Sequence, residues 1–302
     1  MATHEEDQYT QLIKDVLTNG EAREDRTGTG TLSIFAPPNL RFSLSGNTLP
    51  LLTTKRVFSR GIIEELIWFV KGRTDSNLLS EKGVKIWDGN GSRAFLDERG
   101  LSHRREGDLG PVYGFQWRHF GAQYESCDAD YAGKGIDQLR GVIHKIKNTP
   151  TDRRIVLSAW NPADMDKMAL PPCHILCQFY VSSLSNPSQG QKRKLSCLMF
   201  QRSADLGLGI PFNIASYAIL THLIAQLTDT EAHQLIIQLG DAHVYRDHVD
   251  ALKIQVEREP RAFPKIRWRR DMSSVDLDDV EPEDVIIEGY KPHPAVSMKM
   301  SV

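Results

Sequence analysis

Apolar positions along the chain follow two periods, and the changes between them predict the elements. Tyr9, Leu12, Ile13, Val16 and Leu17 recur at helical spacing, so a helix is expected to about Thr18, closed by Gly20. The polar run GEAREDRTGTGT then reads as a loop leading into a strand at 32–35. Residues 62–71 are amphipathic, with Ile62, Leu66, Trp68 and Phe69 around Glu64 and Glu65, and predict a second helix. Strands are expected at 154–160, 174–181, 195–201 and 234–239, where branched or aromatic residues occupy both faces. Helices at 213–227 and 247–257 come between and after them, the first with Asn213 as a competent N-cap. The stretch 206–228 has no Asp, Glu, Lys or Arg and is long enough to cross a bilayer. Pro211, Asn213, Ser216, His222 and Gln226 interrupt it, so a buried core helix is expected instead, with no membrane partner.

The hydrophilic run SSLSNPSQGQKRK at 182–194 reads as a surface hairpin insertion, and no repeat or linker divides the rest. A single catalytic domain over 1–302 is expected. Its class is α/β (α+β), with helices flanking a sizeable, largely buried sheet. At 302 residues, 40% hydrophobic and 25% charged, the chain has ample material for a core. A net charge of -2 gives no overall basic footprint, which argues against nucleic acid as a partner and leaves any anion to a few placed arginines. Four cysteines, Cys127, Cys173, Cys177 and Cys197, suggest free thiols in a reducing compartment. The acidic opening MATHEEDQYTQLIK has neither the apolar core of a secretory leader nor the arginines of a transit peptide, so a cytoplasmic location is expected.

The run ALPPCHILCQFYV sets Cys173 directly after two prolines, which cannot donate ladder hydrogen bonds and so end one segment where a strand begins. A lone cysteine in an apolar run is ordinarily a core residue, and a lone arginine is ordinarily a solvated charge. Several arginines here sit beside turn residues: Arg26 in DRTGTGT, Arg153 and Arg154 in TDRRIV, and Arg202 in QRSADLGLG. Guanidinium forks match phosphate oxygens, and Ser203 adds a hydroxyl suited to the same anion. The GTG and GLG runs do not make the GxGxxG dinucleotide pattern. His243 and Tyr245 stand two apart after a strand, so extended backbone points both the same way, toward a sugar hydroxyl or toward ordinary core partners. Cys173 and Cys177 form no CxxC pair and His243 with His248 is off the i, i+4 spacing, so no metal is expected.

In order along the chain stand DRTGTGT, EELIWFVKG, IWDGNGS, GDLGPVYGFQWRHFG, DRRIVLSAWNP, LPPCHILCQF, QRSADLGLGIPFNIASY, LGDAHVY and REPRAFPK. Together they resemble the thymidylate synthase family from about Arg26 to Val302. The resemblance implies a homodimer that joins through a large mixed sheet and methylates dUMP to dTMP. The co-substrate would be 5,10-methylenetetrahydrofolate, as one-carbon donor and reductant. It further implies that Arg26, Arg202 and Ser203 hold the phosphate, with Arg153 and Arg154 reaching across from the partner subunit. His243 and Tyr245 match the deoxyribose pair, and Asn213 the amide facing the base. Cys173 matches the nucleophile, Glu65 the proton-relaying carboxylate, and Tyr113 the tyrosine linked to loss of the ring proton. Asp205 matches the pterin's partner and is counted with the catalytic set, while Ile86, Trp87, Asn90, Leu208, Gly209 and Phe212 match the other folate contacts. Met300 and Val302 match a tail that folds over the ligands.

Chemistry supports those types. A pyrimidine-2,4-dione accepts a thiolate at its sixth carbon, and nearby arginines are expected to lower the thiol's pKa. Burial beside Trp68 and Phe69 is expected to raise that of Glu65. His174 next to Cys173 points the opposite way on a strand and receives no role. Ala204 stands where the family pattern has glycine. Two alternatives differ at readable places. A dCMP hydroxymethylase of the same fold is expected to carry an acidic residue at position 213, and a catalytically idle nucleotide- or RNA-binding regulator has no need of the thiol, carboxylate, amide and arginines together.

Overall fold

The charge-free run becomes the central helix Gly209–Leu227, buried on almost every side. A helix apolar all round needs cover all round. It packs on two long strands and on the amphipathic helix Ser59–Val70. The computed structural model describes residues 4–182 and 191–300. Most of the expected insertion at 182–194, and Val302 of the expected tail, lie outside them.

Seven strands form one mixed sheet: β1 (Glu21–Arg23), β2 (Thr31–Phe35), β3 (Leu40–Ser43), β4 (Val156–Ser158), β5 (His174–Val181), β6 (Lys194–Asp205) and β7 (Glu231–Tyr245). Their order is β1-β2-β7-β6-β5-β4, with β3 pairing another stretch of β7. Among the described residues only β6 and β7 run parallel, joined by the central helix as a βαβ crossover; the other pairs are antiparallel. A two-stranded sheet, Lys265–Trp268 with Val285–Glu288, lies apart in the ladder.

Several expectations are corrected in detail. The helix expected at 213–227 starts four residues earlier, and Asn213 is not its cap. The carboxylate of Asp205 caps it instead, accepting from the backbone N–H of Gly207 at 2.8 Å, Leu208 at 3.2 Å and Gly209 at 3.3 Å. Part of the expected loop at 20–31 is strand β1. The strand expected from Arg154 begins at Val156, which leaves Arg153 and Arg154 in the preceding turn. The helix expected at 247–257 is a 3-10 turn, Arg246–His248, followed by a helix, Val249–Gln255.

The sheet is also less covered than expected. Cys177, Phe179 and Val181 of β5 face the core, whereas Gln178 and Tyr180 face outward, Tyr180 with 67% of its surface exposed. Cross-strand register puts Val156, Gln178, Leu198 and Ile236 in one row of that outer face. Leu176 and Phe200 lie in the next row. Such a face is only half the environment that these apolar residues need.

Candidate active site

Cys173 sits immediately before β5, and two bonds fix its backbone. Its N–H donates to the Tyr113 hydroxyl at 2.7 Å, and its carbonyl accepts from the Arg202 N–H at 2.9 Å. Arg202 also donates through its guanidinium to the carbonyls of Pro172, at 2.8 Å, and Pro171, at 3.3 Å. Those carbonyls are free because the prolines end the segment, so the sequence feature that marked Cys173 also supplies the acceptors that hold Arg202 beside it. Trp160 lies under the guanidinium, 5.6 Å from ring centre to Cζ.

Arg202 and Arg26 pull the thiol's pKa down as expected, but they do not decide its net direction. Burial pushes Cys173 up, and that effect exceeds the pull of Arg202, the Tyr113 hydroxyl and Arg26 downward. The resting group is a protonated thiol. Tyr113, itself buried, is pushed far above the ordinary phenol value by desolvation and the neighbouring sulfur.

A wall of aromatic rings joins this corner to a carboxylate. Tyr113 stacks on His174 at 4.2 Å, and Trp87 meets Tyr113 edge-on at 6.2 Å. The Trp87 indole N–H donates to Glu65 Oε1 at 2.7 Å. Burial pushes the Glu65 carboxyl up to about 7, against the lowering effect of that indole bond. Gly114 lets the Tyr113 helix approach this closely, since a Cβ there would stand 2.7 Å from the Phe69 carbonyl. His174 is held by the Tyr217 hydroxyl at 2.8 Å and pushed down to about 3 by burial, so it is neutral.

The remaining predicted residues divide into two groups. Arg26 leaves a loop tied by Asp25, whose carboxylate accepts from Thr27 N–H at 2.9 Å and Gly30 N–H at 2.7 Å, with Gly28 and Gly30 at positive φ. His243 and Tyr245 meet edge-on at 5.3 Å, and His243 Nδ1 lies 3.1 Å from Asp241 Oδ1. Tyr245 is pushed up to about 12, first by burial and then by Asp205 and Asp25, with Arg26 opposing and the Cys173 sulfur adding. Ser203 and Asp205 end β6 beside them, in register with Asp241 and His243 of β7. Ala204 between them is fully buried opposite Ala242, so the methyl that replaces glycine has room in the core. Asn213, Phe212, Leu208 and Gly209 line the half-buried first turns of the central helix, next to its Asp205 cap. Ile86, Trp87 and Asn90 come from the segment across Glu65, with Trp87 and Asn90 buried.

Arg153 and Arg154 are not brought to this corner. Arg154 Nε bonds Asp152 at 3.0 Å with 87% of its side chain exposed, and neither arginine bonds a residue of the cluster among the described residues. Met300 lies at the exposed end of the described tail.

Sequence reading missed Lys55, Trp160, Tyr217 and His248. Lys55 is buried, its ammonium donates to the Gly207 carbonyl, and burial pushes it down to about 8 against the pull of Asp205. Fully buried Glu6 sets its position by accepting from the backbone N–H groups of Thr53 at 2.9 Å and Thr54 at 2.8 Å and from both hydroxyls. A lysine within the apolar approach LPLLTTK was the available signal.

A family model described as thymidylate synthase matches residues 7–302. The chain is 71% identical to the thymidylate synthase of Agaricus bisporus, over 99% of this chain and 100% of that one. It is 64% identical to that of Saccharomyces cerevisiae, over 99% and 97% of the two chains. With that of Homo sapiens the identity is 56%, over 99% and 91%.

Proposed function

The chain belongs to the thymidylate synthase family, and from that premise we propose how its residues carry out the family's reaction. The protein is a methyltransferase that converts dUMP to dTMP, with 5,10-methylenetetrahydrofolate as co-substrate and dihydrofolate as the other product. The folate supplies both the one-carbon unit and the reducing equivalents.

Cys173 is the nucleophile. Its sulfur forms a bond to the sixth carbon of uracil, the ring's double-bond electrons move toward the fifth carbon and the fourth oxygen, and the fifth carbon becomes able to attack the methylene unit. A thiol that rests protonated must lose its proton as the nucleotide binds. Arg202 and Arg26, which already pull the thiol's pKa down, stabilise the anion once the substrate displaces water. Glu65, near neutrality, relays protons toward the carbonyl and the folate through its Trp87-fixed geometry. Tyr113, whose hydroxyl accepts from the Cys173 N–H, is the residue linked to loss of the ring proton. Asn213 accepts from the ring N–H and donates to the carbonyl, a pattern that selects uracil over cytosine. Arg26, Arg202 and Ser203 take the phosphate, His243 and Tyr245 the sugar, and Asp205 with Ile86, Trp87, Asn90, Leu208, Gly209 and Phe212 the folate. Met300 and Val302 belong to the closing tail.

We propose further that a second copy covers the outer row Val156, Gln178, Leu198 and Ile236, and that its Arg153 and Arg154 complete the phosphate site. The exposed, apolar outer face and the distance of Arg154 from its own chain's cluster support this. The four free thiols fit a reducing cytoplasm, and residues 1–302 are read as one catalytic domain.

The observation that carries the reading is the meeting of Cys173, Tyr113 and Arg202 through backbone bonds, with Glu65 on the same aromatic wall. The test is turnover of dUMP by the wild type and by Cys173→Ser. The variant is expected to keep nucleotide binding by calorimetry and to lose nearly all formation of dihydrofolate; unchanged turnover overturns the assignment.

A further inference from the structure

His248 follows β7 in the turn Arg246–His248, and its side chain is completely buried. Its Nε2–H donates to the Lys299 carbonyl at 2.6 Å, a contact that reaches from the middle of the fold to the C-terminal tail. Its Nδ1 makes no hydrogen bond, is shut off from solvent, and lies 3.8 Å from Asp205 Oδ1. A buried ring nitrogen left without a partner is costly and calls for an explanation. Gly207 makes the room for this arrangement, since a Cβ there would stand 2.5 Å from Nδ1 and 3.2 Å from the Met298 sulfur. No side chain can occupy the space between ring, carboxylate and tail.

We propose that His248 is a positioning residue that fastens the C-terminal tail to the Asp205 carboxylate. The doubly protonated ring satisfies both neighbours, with Nε2–H on the tail carbonyl and Nδ1–H toward Asp205. The neutral ring that keeps the tail bond turns a lone pair toward a carboxylate, so either the tail or Asp205 must give way. The charged and titratable groups around the ring are Asp205, Asp247 at 3.8 Å from Nε2, Tyr245 edge-on at 5.6 Å, and Lys55, whose ammonium sits on the Gly207 carbonyl. Behind them, Tyr9 donates to the Leu206 carbonyl at 2.6 Å. Burial works against charge on the ring, but Asp205 and the Lys299 carbonyl outweigh it, and the folded ring holds its proton above the ordinary histidine range. The fastening is therefore complete at mildly acid pH and is lost as pH rises through that elevated value.

The consequence for the folate rests on the reading of Asp205 given above; the fastening itself does not. The test is hydrogen exchange of the 296–300 amides in the full, substrate-free chain, from about pH 6 to about pH 9, corrected for intrinsic exchange. In the wild type, tail protection is expected to fall about tenfold as pH rises, and in His248→Gln exchange is expected to be about tenfold faster and flat with pH. The same variant is expected to raise the folate KM about tenfold with nucleotide binding unchanged, a split that general unfolding does not produce. Wild-type protection that does not vary with pH overturns the proposal even if the variant fails to fold. So does a folded variant whose tail is protected as in the wild type. Loss of protection without a change in folate KM supports the fastening and overturns the role given to Asp205.

Discussion

The aromatic wall beneath Cys173 and the arginine rim above it are built on opposite terms. The wall is dry: Tyr113, Trp87 and His174 are buried, the Tyr113 hydroxyl, the Trp87 indole N–H and His174 Nδ1 each have a partner inside the chain, and burial drives Glu65, Cys173 and His174 toward their neutral forms. The rim is wet: Arg26 is exposed and Arg154 sits out in solvent with Asp152. Proton movement at neutral pH needs carboxyl and thiol groups whose charge is withheld until substrate arrives, and burial does that. Capture of a doubly charged phosphate needs permanent cations in water's reach, which folding one chain does not have to gather in one place.

The largest effect tests whether the rim is shared. Cys173→Ser and Arg154→Ala are each expected to lose most turnover. Mixed and exchanged between subunits, the pair is expected to recover about a quarter of wild-type activity, because half the dimers then hold one intact site of two. No recovery breaks the contrast, since all rim cations would then serve their own chain. Next, Glu65→Gln keeps an acceptor for the Trp87 indole but cannot carry a proton, and kcat is expected to fall about a hundredfold with little change in dUMP binding. The wild-type kcat profile should show a limb near pH 7 that this variant lacks. The same group sets a stability signature. Its folded pKa of about 7 lies above its ordinary 4.5, so stability present at acid pH is lost as pH rises between those values, by at most roughly 3 kcal/mol. Thermal melts of Glu65→Gln should lack that decline.

Smaller effects sharpen the edges. Asp205→Asn removes both the helix cap charge and the predicted folate contact, and should raise the folate KM about tenfold while lowering stability by about 1 kcal/mol. Equal loss of dUMP affinity would assign Asp205 to the wrong ligand. Arg26→Ala should raise the dUMP KM about tenfold and make it less sensitive to salt, with a smaller fall in kcat from the lost pull on the Cys173 thiolate.

The long apolar segments were legible in the sequence because their period and burial agree: 174–181 was expected and is found as β5, and the charge-free run is the core helix. Boundaries set by distant partners were not. Asp205 caps the central helix across a turn, so Asn213, the better local candidate, was preferred wrongly. Strands β1 and β3 and the pair Lys265–Trp268 with Val285–Glu288 are short and mostly polar on one side, and only their neighbours make them strands. The site residues were legible as types, through the resemblance. The balance of forces on Cys173 was not, because an arginine's pull is visible in a sequence whereas the depth of burial that exceeds it depends on distant segments such as the helix that brings Tyr113 to its backbone.

The central claim is that the Cys173 sulfur bonds to the pyrimidine. A dUMP analogue with fluorine at the fifth carbon cannot give up a proton there, so an adduct formed with the folate present should stall and survive denaturation. Digestion and mass spectrometry should then find nucleotide and folate on the single peptide that contains Cys173. An adduct on Cys127, Cys177 or Cys197, or none at all under turnover conditions, contradicts the account.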